Sequence, residues 1–350
     1  MFAWSIDGIP LPPPIPPDPN RLRGMMLGLA IGDALGNTSE SQNPSDRFER
    51  YGEIRDYLPN HYAEHRRVGL PSDDSQLAFW TIESLLRRGF LDPTDLAETF
   101  SSSQIFGSGG TVRSFLHAFR SGNSWDQCGQ PSAGNGALMR IAPIVFPHLT
   151  NPSPDLWHDV ICATALTHND EAAVVSSVGY VGLLFECLAG DSAAKPEPDW
   201  YLERFLHYAR PVETDKLYRP RSALKFEGNL CEFVEQFVKP AVKAKLTPLE
   251  VSCDWYSGAY LLETVPNVLL ILALYGHDPE EAIVRAVNDT RDNDTVGAIV
   301  GAVVGALHGA EALPLHWKAN LLGRTRENDD GHAFELIEEA TSVFCKPDAT

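Results

Sequence analysis

The sequence predicts an all-α fold, and three observations carry that expectation. Apolar residues recur at helical spacing through most of the chain. Glycine returns at every fourth position in two apolar segments, Gly24, Gly28, Gly32, Gly36 and Gly297, Gly301, Gly305, Gly309. Few stretches alternate apolar and polar residues as a half-buried strand would.

Taken in order, residues 10–19 are mostly proline. Proline fixes φ and removes amide donors, so residues 1–20 are expected as an extended, polyproline-like arm rather than core. The spacing predicts a helix from near Arg21, then a loop rich in polar residues, then a helix over "SQLAFWTIESLLRRGF" (75–90). Further helices are predicted at 93–104, 111–120, 155–166, 170–189, 199–209, 229–245, 256–275, 278–288, 295–310 and 332–344. Residues 21–345 thus read as one all-α domain. Segment 191–255 differs in charge: it holds 10 Lys and Arg against 11 Asp and Glu, while the rest holds 18 against 36. It reads either as a variable insertion facing a partner or as solvated connecting helices.

The 350 residues suffice for one large core, and 43% hydrophobic with 21% charged residues is ordinary globular composition. A formal net charge of -19 argues against an extended nucleic-acid-binding face, because phosphate would be repelled over most of the surface. A small anion remains possible where metal ions or helix N-termini offset the charge. None of the six cysteines forms a CxxC pair, and none stands at zinc-finger spacing from a histidine. They are expected as reduced thiols in a cytoplasmic protein. The N-terminus has neither a basic start nor a long apolar run, unlike a secretory signal. No membrane span is expected; the closest run, Val296 to Leu307, stops at His308 and Glu311.

An i+4 glycine repeat places each set on one slowly drifting helix face. Each glycine costs about 1 kcal/mol of helix propensity relative to alanine, a cost that close backbone approach can offset. Both helices are therefore expected at the centre of the bundle. Core packing accounts for the stripes but not for the charges attached to them. Asp33 lies inside the first stripe, and Asp292, Asp294 and Thr295 open the second. Burying such charges costs several kcal/mol each unless they are paired or bound to metal.

A second acidic cluster, Ser72, Asp73, Asp74 and Ser75, stands at the start of the 75–90 helix. Helix capping alone accounts for Ser, Thr or Asp at a helix start. One acid is enough for a cap, however, and adjacent acids repel. Two such clusters, each with hydroxyl neighbours, point to a shared oxygen-rich cage. Asp73, Asp74, Asp292 and Asp294 bring four negative charges, which two divalent cations balance. An all-oxygen donor set suits Mg²⁺ or Mn²⁺ before Zn²⁺.

Together the motifs "RGMMLGLAIGDALGNTSE", "SDDSQLA", "SAGNGALMRIAPI", "TH" at 167–168 and "DNDTVGAIVGAVVGALHG" resemble the ADP-ribosylglycohydrolase family. Their order and spacing fit from about Arg21 to Gly309. The resemblance implies an all-α fold with two Mg²⁺ ions in a cleft, Mn²⁺ being a possible substitute. It implies cleavage of the bond between ADP-ribose and an acceptor. It places metal ligands on Ser72, Asp73 and Asp74, where the family usually has Thr for Ser72, and on Asp292, Asp294 and Thr295. It also marks Glu40 as a glutamate that closes over substrate near the metals. The chain departs from the family at Thr290 and Arg291, where Gly-Gly is common, and at Asn293, often Thr. Arg291 is expected either to contact a substrate oxygen, to narrow the range of acceptors, or to pair with a neighbouring acid.

The loop Ser132, Gly134, Asn135, Gly136 leads into apolar residues, and small residues free backbone N–H groups for an anion. The resemblance makes the diphosphate of ADP-ribose its cargo, with His168 hydrogen-bonding a ribose hydroxyl or a phosphate. The implied reaction is hydrolysis at the anomeric carbon of the distal ribose through an oxocarbenium-like transition state. Asp73, Asp74, Asp292 and Glu40 are all candidates for the proton transfer. Two rival readings are a non-catalytic ADP-ribose-binding or structural relative, and a metal hydrolase acting on a phosphate ester.

Overall fold

Helix starts are written into the sequence as a capping residue followed by proline. Asp18, Asn43, Asp92, Ser153, Glu197, Thr247 and Asp278 each precede a Pro that opens a helix. Proline's missing amide costs nothing in a first turn. The computed structural model describes residues 4–15, 18–190, 196–326 and 331–345. Its helices are α1 (Pro19–Gly36), α2 (Pro44–Tyr51), α3 (Asp73–Arg88), α4 (Pro93–Ser101), α5 (Gly110–Arg120), α6 (Pro154–Ala165), α7 (Glu171–Ala189) and α8 (Pro198–Ala209). There follow α9 (Leu230–Phe233), α10 (Lys239–Ala244), α11 (Pro248–Trp255), α12 (Leu261–Tyr275), α13 (Pro279–Asp289), α14 (Asn293–His308), α15 (Leu315–Asn320) and α16 (His332–Phe344). Among the described residues there is no strand, only isolated bridges such as Gln130 with His168 and Gly134 with Tyr260. The all-α expectation holds.

Several boundaries differ from the sequence expectation, each for a local reason. The first helix begins at Pro19 rather than Arg21, because the Asp18 carboxylate accepts the Asn20 N–H at 2.9 Å. The expected 229–245 helix contains a π-helical turn, Val234–Val238, just ahead of Pro240, which has no amide to continue the ladder. The expected 256–275 helix starts only at Leu261. Tyr256 adopts a left-handed φ of 63° and ends α11, leaving 256–260 as a loop. Helices α2, α11 and α15, of six to eight residues, are too short for their spacing to register.

The arm is extended but not outside the core. Ile9 and Ile15 are buried, the Ile15 amide donates to Leu149 O at 2.9 Å, and Trp157 Nε1 donates to Pro10 O at 3.2 Å. The run nearest to a membrane span is not 296–307. Helix α7 is long and apolar enough to cross a membrane by composition, yet 89% of its most apolar stretch is buried inside the molecule. Five described cysteines, Cys128, Cys162, Cys187, Cys231 and Cys345, are free.

At the centre, α1 and α14 lie antiparallel with their glycine stripes face to face. Gly24 meets Gly305 and Gly309, Gly28 meets Gly301, and Gly32 meets Gly297. A Cβ at Gly24, Gly28, Gly32, Gly297, Gly301 or Gly305 would overlap the opposing backbone. Helices α7, α12 and α13 pack around α14, and one contiguous hydrophobic core surrounds the pair.

Candidate metal and substrate site

The glycine ladder ends on a charged rung. Gly36 abuts the backbone of Asp294, so the C-terminus of α1 and the N-terminus of α14 meet without side chains between them. Asn293 fixes the junction: its Nδ2 donates to Gly36 O at 3.1 Å and Ser39 Oγ at 3.0 Å. The departure from Thr at this position therefore carries a structural task. Arg47, also buried, donates to Val287 O at 2.9 Å, Asn288 O at 3.1 Å and Thr290 O at 2.7 Å. These bonds close the end of α13 and hold the turn that presents Asp292.

Neither acidic cluster is used up in capping. Ser72 and Asp292 occupy the N-cap positions of α3 and α14, yet neither side chain makes a capping hydrogen bond. For α3 the cap comes from another helix. Asp33 Oδ2 accepts the amides of Ser72 at 2.9 Å and Ser75 at 3.1 Å, and the hydroxyls of both serines donate to Asp33 at 2.6 Å. Asp33 thereby draws the start of α3 onto α1, and leaves Asp73 and Asp74 free to face inward.

Two sets of carboxylates converge. Asp33, Asp74 and Asp294 present oxygens within 4.8 Å of one another, as do Glu40, Asp292 and Asp294. Asp294 belongs to both sets. The cavity above them is lined by Glu40, Asp73, Asp74, Asp292, Asp294 and Thr295, and by Gly134, Asn135, Gly136 and His168 on the facing wall. The sequence expectation placed Asp73 in the cage and did not assign Asp33 to it. In the structure Asp73 lines the cavity outside both tight sets, and Asp33 sits inside one. The sign of Asp33 was its charge within an otherwise buried stripe.

The electrostatics match a missing countercharge. Burial first, and like charge second, push Asp74 and Asp294 far above the usual carboxylate range. Burial and the charge of Asp33 push Asp73 up to about 7. Burial also raises Asp292, against the lowering effect of its hydrogen bond from Asn135. Glu40, exposed at the rim, is raised by desolvation and by Asp292. One oxygen, Asp74 Oδ1, is buried with no hydrogen-bond partner among the described residues. An all-oxygen donor set with excess negative charge and an orphaned carboxylate oxygen fits hard divalent cations.

The remaining expected residues divide. Asn135 Nδ2 donates to Asp292 Oδ2 at 2.5 Å and to Thr264 Oγ1 at 3.0 Å, tying the glycine loop to the acidic floor. Ser72 and Ser132 do not line the cavity. Ser72 serves Asp33, and Ser132 Oγ hydrogen-bonds Thr111 Oγ1 at 3.1 Å and accepts the Gly134 amide. Arg291 does not line it either: its guanidinium hydrogen-bonds the Tyr256 hydroxyl and lies 5.2 Å from that ring's centroid, with no carboxylate partner among the described residues. The apolar residues after the loop form a 3₁₀ turn, Leu138–Arg140, succeeded by a proline-bearing 3₁₀ stretch, so little dipole comes from there. A further segment, "GSGGT" at 107–111, also belongs to the site. Gly107, Gly109, Gly110 and Thr111 bring the uncapped N-terminus of α5 into the same cavity. Three glycines before a helix were the available signal.

Fold and site define an all-helical protein with a carboxylate cluster in a cavity that a glycine loop and an uncapped helix start also line. The sequence matches the ADP-ribosylglycohydrolase family over residues 15–346, and the chain belongs to that family. It is 26% identical to ADP-ribosylhydrolase ARH3 of Xenopus tropicalis, over 93% of this chain and 96% of the relative. It is also 26% identical to the ADP-ribosyl-[dinitrogen reductase] glycohydrolase of Rhodospirillum rubrum, over 86% and 90%. A solved structure described as an ADP-ribosylglycohydrolase-related protein complex aligns with a TM-score of 0.69 at 26% identity, covering 93% of this chain and 97% of that one.

Proposed function

We propose that this chain is a Mg²⁺-dependent hydrolase that cleaves the glycosidic bond between ADP-ribose and an acceptor, releasing ADP-ribose. The observation that carries the reading is the double carboxylate set sharing Asp294 beneath an open cavity, with Asp74 Oδ1 buried and unpartnered. The family membership and the two named relatives support the substrate class. Asp33, Asp74 and Asp294 would hold one ion and Glu40, Asp292 and Asp294 the other, with Ser72, Asp73 and Thr295 beside them. Bound there, Mg²⁺, or Mn²⁺ in its place, supplies positive charge that orients sugar hydroxyls and acidifies the attacking water.

The chain's own groups do the rest. The start of α5, whose first-turn amides have no side-chain cap, and the Gly134–Gly136 loop line the cavity and suit a diphosphate. Asn135 holds Asp292 in place from that wall. Proton transfer falls to Glu40 or Asp73, the least buried acids lining the cavity. A carboxyl group in that role serves an oxocarbenium-like transition state.

The test is a panel of ADP-ribosylated substrates of defined linkage, assayed with and without Mg²⁺. Asp292→Ala and Asp294→Ala are expected to abolish Mg²⁺-dependent release of ADP-ribose while far-ultraviolet circular dichroism stays helical. Full activity in either variant overturns the assignment. Inorganic phosphate as product would indicate a phosphoesterase, and calorimetric ADP-ribose binding without turnover a non-catalytic relative.

A further inference from the structure

Behind His168 stands a buried arginine that has no acid to serve. Arg140 is fully buried, lies 4.8 Å from the Phe100 ring centroid, and has no carboxylate partner among the described residues. Its Nη2 donates to Ala163 O at 2.9 Å and to Thr167 Oγ1 at 2.8 Å. Thr167 Oγ1 in turn lies 2.9 Å from His168 Nδ1. His168 lines the cavity, where its ring packs on the glycine loop: a Cβ at Gly136 would stand 2.9 Å from His168 Cε1.

The proton count along this line has one consistent solution. The Arg140 guanidinium only donates, so Thr167 Oγ1 accepts from it. The Thr167 hydroxyl proton then needs an acceptor, and His168 Nδ1 is the only one in hydrogen-bond reach among the described residues. Were Nδ1 protonated, two donors would face one oxygen, and a fully buried hydroxyl would point at nothing. Nδ1 therefore accepts, and the neutral ring carries its proton on Nε2. That nitrogen makes no hydrogen bond to the described protein.

We propose that Arg140 and Thr167 are positioning residues that lock His168 as the Nε2–H tautomer, so that it offers a fixed hydrogen-bond donor to an acceptor oxygen of the bound ligand. With the substrate class proposed above, on which this last step rests, that oxygen belongs to the diphosphate or a ribose. The buried positive charge of Arg140 acts in the same direction, since together with desolvation it keeps the ring neutral.

The lock is tested by long-range proton–nitrogen correlation on ¹⁵N-histidine-labelled full-length protein, with the signal assigned by its loss in His168→Gln. The wild type is expected to show the Nε2–H tautomer. Thr167→Val, which keeps shape and removes the donor, is expected to shift the tautomer toward Nδ1–H or a mixture. It should also weaken ADP-ribose binding on the order of ten-fold, the scale of one hydrogen bond to a charged group. Thr167→Ser is expected to restore both. An Nδ1–H ring in the wild type, or an unchanged tautomer in Thr167→Val, overturns the proposal. The wild-type spectrum decides even if the valine variant does not fold. A lock that follows Thr167 in a protein that binds no ADP-ribose upholds the tautomer and overturns only the substrate assignment.

Discussion

Replacing Asp294 by asparagine removes a charge that burial and the neighbouring Glu40, Asp292 and Asp33 all oppose. Asp294→Asn is expected to melt higher than the wild type in chelator at pH 8. There the unfolded chain holds the carboxylate ionised at no cost, while the folded wild type does not. The order should reverse on adding Mg²⁺, because asparagine leaves both carboxylate sets short of a ligand. Paired melting curves check both halves. His168 gives the opposite pH signature. Burial, reinforced by Arg140, lowers its pKa to about 3, whereas an unfolded histidine takes a proton near pH 6.5. Between those values the unfolded chain binds the extra proton, so the histidine's contribution to stability is present above pH 6.5 and lost as pH falls toward 3. The stability difference between the wild type and His168→Gln, measured by denaturant titration, should therefore shrink in the wild type's disfavour as pH drops through that window.

At the scale of elements, α1 and α14 act as one unit. Alanine at Gly32 would gain about 1 kcal/mol of helix propensity. Its Cβ would overlap the Gly297 carbonyl, which is backbone and cannot rotate aside. Overpacking of this kind costs roughly 1–3 kcal/mol or more, so Gly32→Ala is expected to destabilise. It should also weaken Mg²⁺ binding, because the adjacent Asp33 on α1 and Asp294 on α14 belong to the same carboxylate set. Calorimetric Mg²⁺ titration alongside denaturant unfolding separates the two effects. The stripes were legible in the sequence because glycine repeated on one face has a definite steric meaning. The acidic pairs were legible because two acids exceed what one cap needs. Asp33 was not assigned because a single acid inside a helix gives no indication of its partners. Here they are Ser72 and Ser75, brought from another helix. Arg291 could not be placed either, since its partner Tyr256 sits on a loop defined by a left-handed backbone that no periodicity announces.

For the whole molecule, a formal charge of -19 is partly concentrated in one cavity with no lysine or arginine among its described lining residues. A ligand that binds only the folded state stabilises it by about 2.7 kcal/mol at a hundred times its dissociation constant. Mg²⁺ is therefore expected to raise the melting temperature with a logarithmic dependence on concentration, and chelator to lower it; differential scanning fluorimetry reads this directly. A flat response would remove the case for a resident divalent ion. The junction of α1 with α14 also bears on synthesis. Gly36 and Asn293 hydrogen-bond across 257 positions of sequence, so α1, once synthesised, waits for α14 before its bare glycine face is covered. A nascent or prematurely terminated chain ending before α14 would present that face to chaperones and proteases, and would hold only part of either carboxylate set. Metal binding at this site would then mark a chain whose translation has passed α14.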